Sequence, residues 1–260
     1  MSWLPISDLQ VPYHDPKAVN AVLEFIREHR SHLKGLLCVG DEFDCPQPSR
    51  WTRGLKGEFA DTILKDLHKT HVVMAAFREA IGPDKPFHVV RSNHGDRILK
   101  YVQTAAPALA PFVEPGGVLD IPTLLRYDEL GITYHRQPFE FEKGWLLAHG
   151  DEGGLRQIAG TTAAGLAQRW QKNVVCGHSH RAGLVPTSYG VLGNQKTLWG
   201  LEVGNLMDLK KASYLRPAQS ANWQQAFGLI HITKTGRKTI ITPEIRWIIN
   251  GTVSRGLEAA

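Results

Sequence analysis

Short apolar runs that stop on polar, ligand-type residues set the pattern of this chain. Trp3 to Ser7 runs into Asp8-Leu9-Gln10, and Gly35 to Val39 into Gly40-Asp41-Glu42-Phe43-Asp44. Phe87 to Ser92 runs into Asn93-His94-Gly95-Asp96, Trp145 to Ala148 into His149-Gly150-Asp151, and Val174 to Gly177 into His178-Ser179-His180. Each run has the length and composition of a buried strand, and in an extended segment His178 and His180, one residue apart, lean to the same side. In α/β sheets ligands bind beyond the carboxyl ends of the strands, so these five tips can converge on one site although they are scattered from residue 8 to residue 180.

Helical periodicity fills the intervals. Asp15-Pro16 is a cap followed by a helix-compatible first position, and Ala18, Val22, Phe25 and Ile26 recur at helical spacing to about His32. A right-handed crossover to the strand at Gly35 is the expected connection. Further helices are predicted over Phe59 to Ala80, Asp96 to Val102 and Ile158 to Trp170, with short helical pieces at Ile121 to Leu125 and Tyr127 to Leu130 and a strand at Ile132 to Arg136. Beyond His180 the pattern turns to β-type segments at Thr197 to Val203, Phe227 to Thr233, Lys238 to Thr242 and Ile245 to Ile249, with a hairpin turn at Lys234 to Arg237. These read as antiparallel strands completing a second sheet. The insertion from Cys45 to Lys56 cannot continue a regular element; it carries Arg50, Trp51, Arg53 and Lys56, a basic and aromatic loop leaving from beside the strand tips.

Composition narrows the class. At 260 residues, 42% hydrophobic and 21% charged, the chain is globular and can bury a full core. One domain, residues 1–260, is expected because the tips feed one site. Three cysteines, with Cys38 and Cys176 inside apolar runs, form no disulfide framework and suit a reducing compartment. No leader-like segment or membrane-length apolar run occurs, so a cytoplasmic protein without a membrane partner is expected. The formal net charge of +5 favours anionic ligands such as phosphate esters.

A bridging carboxylate, a carboxamide and several imidazoles suit two divalent first-row ions, the arrangement that clamps the attacking and leaving oxygens in phosphoryl transfer. A histidine beside the metals but not bound to them could protonate the leaving oxygen.

Asp8-x-Gln10, Gly40-Asp41-x-x-Asp44, Asn93-His94, His149 and Gly177-His178-x-His180 together resemble the ordered motif series of the calcineurin-like metallophosphoesterases. Ser-Asp-Leu-Gln, Pro-Tyr-His-Asp and Asn222-Trp223 followed by Phe227-Gly228 look similar to phage-type members. The resemblance implies an α/β fold, a four-layer αββα sandwich of two mixed sheets flanked by helices. It implies one metal held by Asp8, Asp41, His180 and the residue at position 10, and a second held by Asp41, Asn93, His149 and His178, with Asp41 bridging. It makes His94 the acid, oriented by Asp44, and implies attack on phosphorus by a metal-held hydroxide. The partner expected is a phosphate-ester substrate, with nucleotides and nucleic acid as candidates.

Two positions depart from the family. Gln10 stands where histidine is usual, so the first site becomes richer in oxygen donors; this favours Mn²⁺, with Fe, Zn and Ni as alternatives. His14 could alternatively fold back as a ligand. Gly95 stands where an acidic residue is usual, with Asp44 and the neighbouring Asp96 available to partner His94. Arg97 could touch a substrate phosphate or form a structural salt bridge. His68 and His71, three apart on a helix, read as a solvated face.

A phosphodiesterase is the reading favoured, because Asp44 is followed by Cys45-Pro46 and not by the Arg-Gly of the protein phosphatases. A nuclease, a protein or monoester phosphatase and a non-catalytic scaffold are the alternatives. Gln10 is the scaffold's best argument, and the presence of His94 and Asp44 argues against it.

Overall fold

Alternation along β1 (Ser2–Ile6) sorts its side chains between two cores: Leu4 and Ile6 enter one, Trp3 the other. The computed structural model describes residues 1–211 and 221–254. The first core lies between a sheet and the helices α1 (Pro16–His29) and α2 (Ile63–Ile81), which contribute Val22, Ile26, Met74 and Phe77. In the second core Trp3, Leu37 and Ile230 of the first sheet meet Leu147, Val175 and Leu201 of another.

The first sheet contains β1, β2 (Leu33–Cys38), β3 (Phe87–Val90) and β4 (Ile132–His135), paired in parallel. The second contains β5 (Phe139–Glu142), β6 (Trp145–Leu147), β7 (Asn173–Cys176), β8 (Ala182–Tyr189) and β9 (Lys196–Val203), in the order β5-β6-β7-β9-β8. Strands β10 (Ala226–Thr235), β11 (Lys238–Ile249) and β12 (Thr252–Val253) return to the first sheet as an antiparallel run, with β10 pairing antiparallel to β1, and give it the order β12-β11-β10-β1-β2-β3-β4. Helix α3 (Asp96–Ala105) follows the β3 tip, a single turn α4 (Ile121–Leu124) precedes β4, and α5 (Thr161–Trp170) covers the outer side of the second sheet. Helices, sheet, sheet and helix make four layers, with both sheets mixed.

The differences from the sequence expectations have local causes. The C-terminal hairpin extends the first sheet, whereas the second is completed by β8 and β9. Periodicity reports which face of a strand is buried, not which sheet it joins. Lys238–Ile249 is one strand running through Pro243, tolerated because β12 pairs only with Ile248 and Ile249, so the Pro243 edge has no ladder to donate to. Edge strand β8 hides behind Gly183 and Pro186. The helix expected from Phe59 starts at Ile63, the one expected from Ile158 starts after the left-handed Gly160, and Tyr127 to Leu130 is a turn.

Asp15 caps α1 by accepting a hydrogen bond from the Lys17 amide at 2.9 Å. Cys38, Cys45 and Cys176 are buried free thiols. No helix among the described residues is long and apolar enough to cross a membrane.

Candidate metal centre

The β1, β2 and β3 tips of the first sheet meet the β6 and β7 tips of the second. Two glycines make this close approach possible. A Cβ on Gly177 would lie 1.7 Å from Ser7 Oγ and 2.6 Å from Asp8 Oδ2, and one on Gly40 would lie 2.7 Å from Ser92 Cβ and 3.0 Å from His149 Nδ1. Gly177→Ala is therefore expected to destabilise the fold by about 1–3 kcal/mol and to weaken metal binding. Thermal unfolding with and without Mn²⁺ reads both effects.

The ligand-type residues sit on unusual backbone. Asp8, Gln10, Asp41, His178 and His180 all have φ between 50° and 65°, a left-handed conformation that costs a non-glycine residue on the order of 1 kcal/mol or more. Five such residues at strand ends aim their side chains inward, where extended geometry would carry the chain past the site.

Asp41 is central and buried. Its Oδ2 accepts a hydrogen bond from Gln10 Nε2 at 3.0 Å and lies 3.5 Å from His149 Nε2 and 3.8 Å from His94 Nε2. His149 Nδ1 is fixed on the Val39 carbonyl at 2.8 Å, leaving Nε2 2.8 Å from Asn93 Oδ1. The His149 and His178 rings lie 4.9 Å apart, and one ligand atom from each of Asp41, His149 and His178 falls within a 4.8 Å group. On the other side His180 Nε2 is 3.5 Å from Asp8 Oδ1, while Asp8 Oδ2 accepts from Ser7 Oγ at 2.6 Å and from the His178 amide at 3.0 Å. Asp41, His149 and His178 thus form the group, Gln10 and Asn93 touch it directly, and Asp8 with His180 borders it through the His178 amide.

These residues fit a metal. Ligand atoms sharing one ion at roughly 2.1 Å stand about 3.0–3.4 Å apart, close to the separations found here. Asp8 Oδ1, Gln10 Oε1 and His180 Nδ1 are buried without a hydrogen-bond partner, and two of these are oxygens beside the cluster. Gln10 turns its amide nitrogen to Asp41; a half-turn about its last side-chain bond would present Oε1 in its place.

Electrostatics tell the same story. Burial would raise the Asp41 carboxyl, yet His94 and His149 opposite hold it well below the usual carboxylate range. Burial would lower His149, but the Asp41 carboxylate outweighs it and raises the imidazole to about 10. His178 is lowered by burial and by neighbouring His149, which leaves it a neutral donor. Here protons on imidazole balance a carboxylate that a cation would otherwise balance.

His94 lies beside the cluster. Its Nδ1 faces both the Asp44 carbonyl at 3.0 Å and Asp44 Oδ1 at 3.1 Å, so Nδ1 carries the hydrogen, and Nε2 accepts from Arg97 Nη2 at 3.0 Å. Burial opposes protonation of His94, but the carboxylate of Asp41 and the bond to Asp44 raise its pKa. Arg97 also donates to the Asp44 carbonyl and lies 3.6 Å from Asp44 Oδ2, so it is tied into the structure and still reaches the site.

Other sequence candidates lie elsewhere. Asp96 pairs with Arg91 at 2.6 Å, not with His94, and Arg91 reaches Asp151 at 2.7 Å, tying the β3 and β6 tips together. His14 is buried with its Nδ1 lacking a hydrogen-bond partner; its pKa falls to about 4 through burial and the charges of Lys69 and Lys211. His71 Nδ1 bonds the Leu125 carbonyl at 2.9 Å, whereas His68 is exposed.

Sequence reasoning missed the residues that hold the histidine loop. Buried Glu202 of β9 accepts from the Thr162 amide at 2.7 Å, the Ala163 amide at 3.3 Å and Ser179 Oγ at 2.5 Å, anchoring that loop to the start of α5. Asn205 donates to the His180 carbonyl at 2.9 Å, and Trp223 stacks on the His180 ring at 4.5 Å. An acid inside the apolar run Thr197 to Val203 was the available signal. Glu202→Ala strips partners from three donors and is expected to lower the unfolding free energy by about 3 kcal/mol, read from the urea midpoint.

Two clefts reach the centre. One, of about 430 Å³, meets it at Asn93 and Arg97 and is walled by Arg50, Trp51, Lys100 and Tyr101. The other, of about 860 Å³, meets it at His178 and is walled by Ile158, Arg181, Asn222 and Trp223.

Two facing mixed sheets between helices, with Asp41, His149 and His178 gathered where their strand ends converge, have the architecture of the calcineurin-like metallophosphoesterase fold. No family model matches the chain. The gene 54 protein of Mycobacterium phage D29 is 36% identical over 252 residues, covering 95% of this chain and 96% of the relative. The gene 54 protein of Mycobacterium phage L5 is 36% identical over 252 residues, covering 96% and 94%. The chain belongs to the family of these phage gene 54 proteins. Among solved structures, a single mutant of Vps29 from Entamoeba histolytica aligns over 98% of this chain and 96% of its own, at 16% identity and a TM-score of 0.46. Wild-type Vps29 complexed with zinc, from the same organism, aligns over the same shares at 14% identity and a TM-score of 0.44.

Proposed function

We propose that this chain is a metal-dependent phosphodiesterase that binds two divalent ions, one between Asp8, Gln10, Asp41 and His180 and one between Asp41, Asn93, His149 and His178. The observation that carries the reading is the pairing of this array with a second device it does not need for binding: His94, held by Asp44 and facing Asp41 at 3.8 Å. A scaffold has no chemical use for an oriented imidazole there.

When bound, two such ions make a water acidic enough to attack at neutral pH and offset charge on the phosphoryl oxygens. The chain's own residues do the rest. Asp44 accepts the Nδ1 hydrogen and fixes the His94 ring, so Nε2 is the atom that carries a proton to the leaving oxygen. Arg97 donates to that same nitrogen at 3.0 Å; a phosphate oxygen entering from the Asn93 side gives the guanidinium a better acceptor and frees Nε2 to take up a proton from solvent, favoured by the Asp41 carboxylate, before it passes that proton to the leaving oxygen. The two clefts support a diester, because each gives room for one of the two groups that a diester phosphate carries.

Gln10 makes the first site rich in oxygen donors, and we assign Mn²⁺ to it in preference to Zn²⁺. We place its work in host cytoplasm, a reading supported by the phage relatives and the buried free thiols.

The test is a rate comparison of bis-p-nitrophenyl phosphate with p-nitrophenyl phosphate after dialysis against chelator. Activity should be absent until Mn²⁺ is restored, then higher with the diester, and lower with stoichiometric zinc. Equal diester rates with and without metal would contradict the reading.

A further inference from the structure

We infer that the cleft between the 45–62 loop and α3 binds single-stranded nucleic acid and leads it to the metal centre. This deepens the phosphodiesterase reading and rests on it for the cutting step.

The loop is built, not loose. Gln47 Nε2 bonds Thr62 Oγ1 at 2.5 Å and Asp66 Oδ2 at 3.0 Å, and Thr52 Oγ1 bonds the Pro46 carbonyl at 2.9 Å. Farther out, Glu58 accepts from the Gly54 amide at 2.6 Å and from Tyr101 of α3 at 2.8 Å, closing the loop against the helix. Those two bonds occupy the Glu58 carboxylate, and no acidic residue lines the cleft.

What remains on its walls is cationic and aromatic. Arg50, Arg53, Arg97 and Lys100 line the cleft; Arg97 pairs with Asp44 and Lys100 with Asp96, whereas Arg50 and Arg53 are within salt-bridge distance of no described carboxylate, Arg53 acting on Glu58 only from farther off. Unpaired cations cost nothing in water, but gathered on one groove they raise the local concentration of a polyanion. Trp51 is 72% exposed on this ordered loop, with the Arg50 guanidinium 4.5 Å over its ring. An aromatic side chain held out in a basic groove is the stacking platform on which unpaired bases rest, and an arginine on its face adds to the grip.

The ligand chemistry follows. Inorganic phosphate or a monoester would engage Arg97 and leave Arg50, Arg53 and Trp51 unused. Duplex nucleic acid presents phosphates but keeps its bases stacked, so the ring would have no partner. A single strand uses both kinds of wall, and its far end has the second cleft, with Arg181 and Trp223, beyond the centre.

The test is fluorescence anisotropy of labelled oligothymidylate and oligouridylate with the full chain, in EDTA so that no strand is cut. Single strands should bind, a duplex of equal length should bind at least tenfold more weakly, and excess inorganic phosphate should compete poorly. Trp51→Ala and the pair Arg50→Glu with Arg53→Glu should each raise Kd at least tenfold. The double variant should also flatten the salt dependence by about 0.7 per lost phosphate contact. Arg237→Glu, on the distant β10–β11 turn, should bind as wild type.

Wild-type affinity in the loop variants, equal or tighter duplex binding, or no oligonucleotide binding would each overturn the inference. Both variants are exposed substitutions, and unchanged thermal midpoints separate lost binding from lost fold. Hydrolysis of bis-p-nitrophenyl phosphate by a chain that binds no oligonucleotide removes only this inference; oligonucleotide binding by a chain that hydrolyses no diester removes only the hydrolase reading.

Discussion

Asp41→Asn is expected to remove both metals and to lower diester hydrolysis on the order of 10³-fold or more. Its carboxylate is the one group that both ligand sets share, within 3.0 to 3.8 Å of Gln10, His149 and His94. The neutral amide keeps the shape and loses the charge. It can offer one oxygen to one ion and cannot bridge two, so the electrostatic reason for both ions to sit in a buried site disappears. Metal analysis of the purified chain after Mn²⁺ loading and gel filtration reads this directly. Retention of two ions per chain in the variant would show that Asp41 is not the bridge.

His94→Gln should behave differently. Turnover is expected to fall about 10²- to 10⁴-fold while metal content stays at the wild-type level, because His94 belongs to neither of the proposed ligand sets. The loss should be greater for a diester with an alkoxide leaving group than for one releasing nitrophenolate, since an acid helps most when the departing oxygen is basic. Asp44→Asn should show the same leaving-group pattern at a smaller cost, about 10- to 100-fold, because the ring remains but loses its orientation. If His94→Gln slowed both leaving groups equally and also lost metal, the histidine would be a ligand and the acid role would be wrong.

The centre was legible in the sequence because each strand ends abruptly on glycine or ligand-type residues, and such punctuation survives without knowledge of the fold. Asp8, Asp41, Asn93, His149 and His178 are read from those tips; Asp41, His149 and His178 form one group, with Asn93 on His149 and Asp8 on the His178 amide. The partition between sheets was not legible. Val174 to Cys176 looks the same in sequence whether it neighbours β2 or β9, because burial on both faces erases periodicity.

Edge strands were lost for a related reason. Phe139–Glu142 has clean alternation but only four residues, and Ala182–Tyr189 carries a glycine and a proline that only an edge tolerates. Glu202 was hidden because an acid in an apolar strand declares that it needs partners without naming them, and those partners, Ser179 and the start of α5, lie 23 and 40 residues away. The reach of Arg97 to both Asp44 and His94 depends on the first turn of α3 lying over the β2 tip, a packing fact that no local pattern contains.

The most direct measurement is anomalous diffraction from a crystal grown with Mn²⁺. The account predicts two strong peaks at the meeting of the strand ends, with Asp41 ligating both, His178 on one and His180 on the other, and His94 on neither. A single peak away from Asp41, or peaks only at the protein surface, would contradict it.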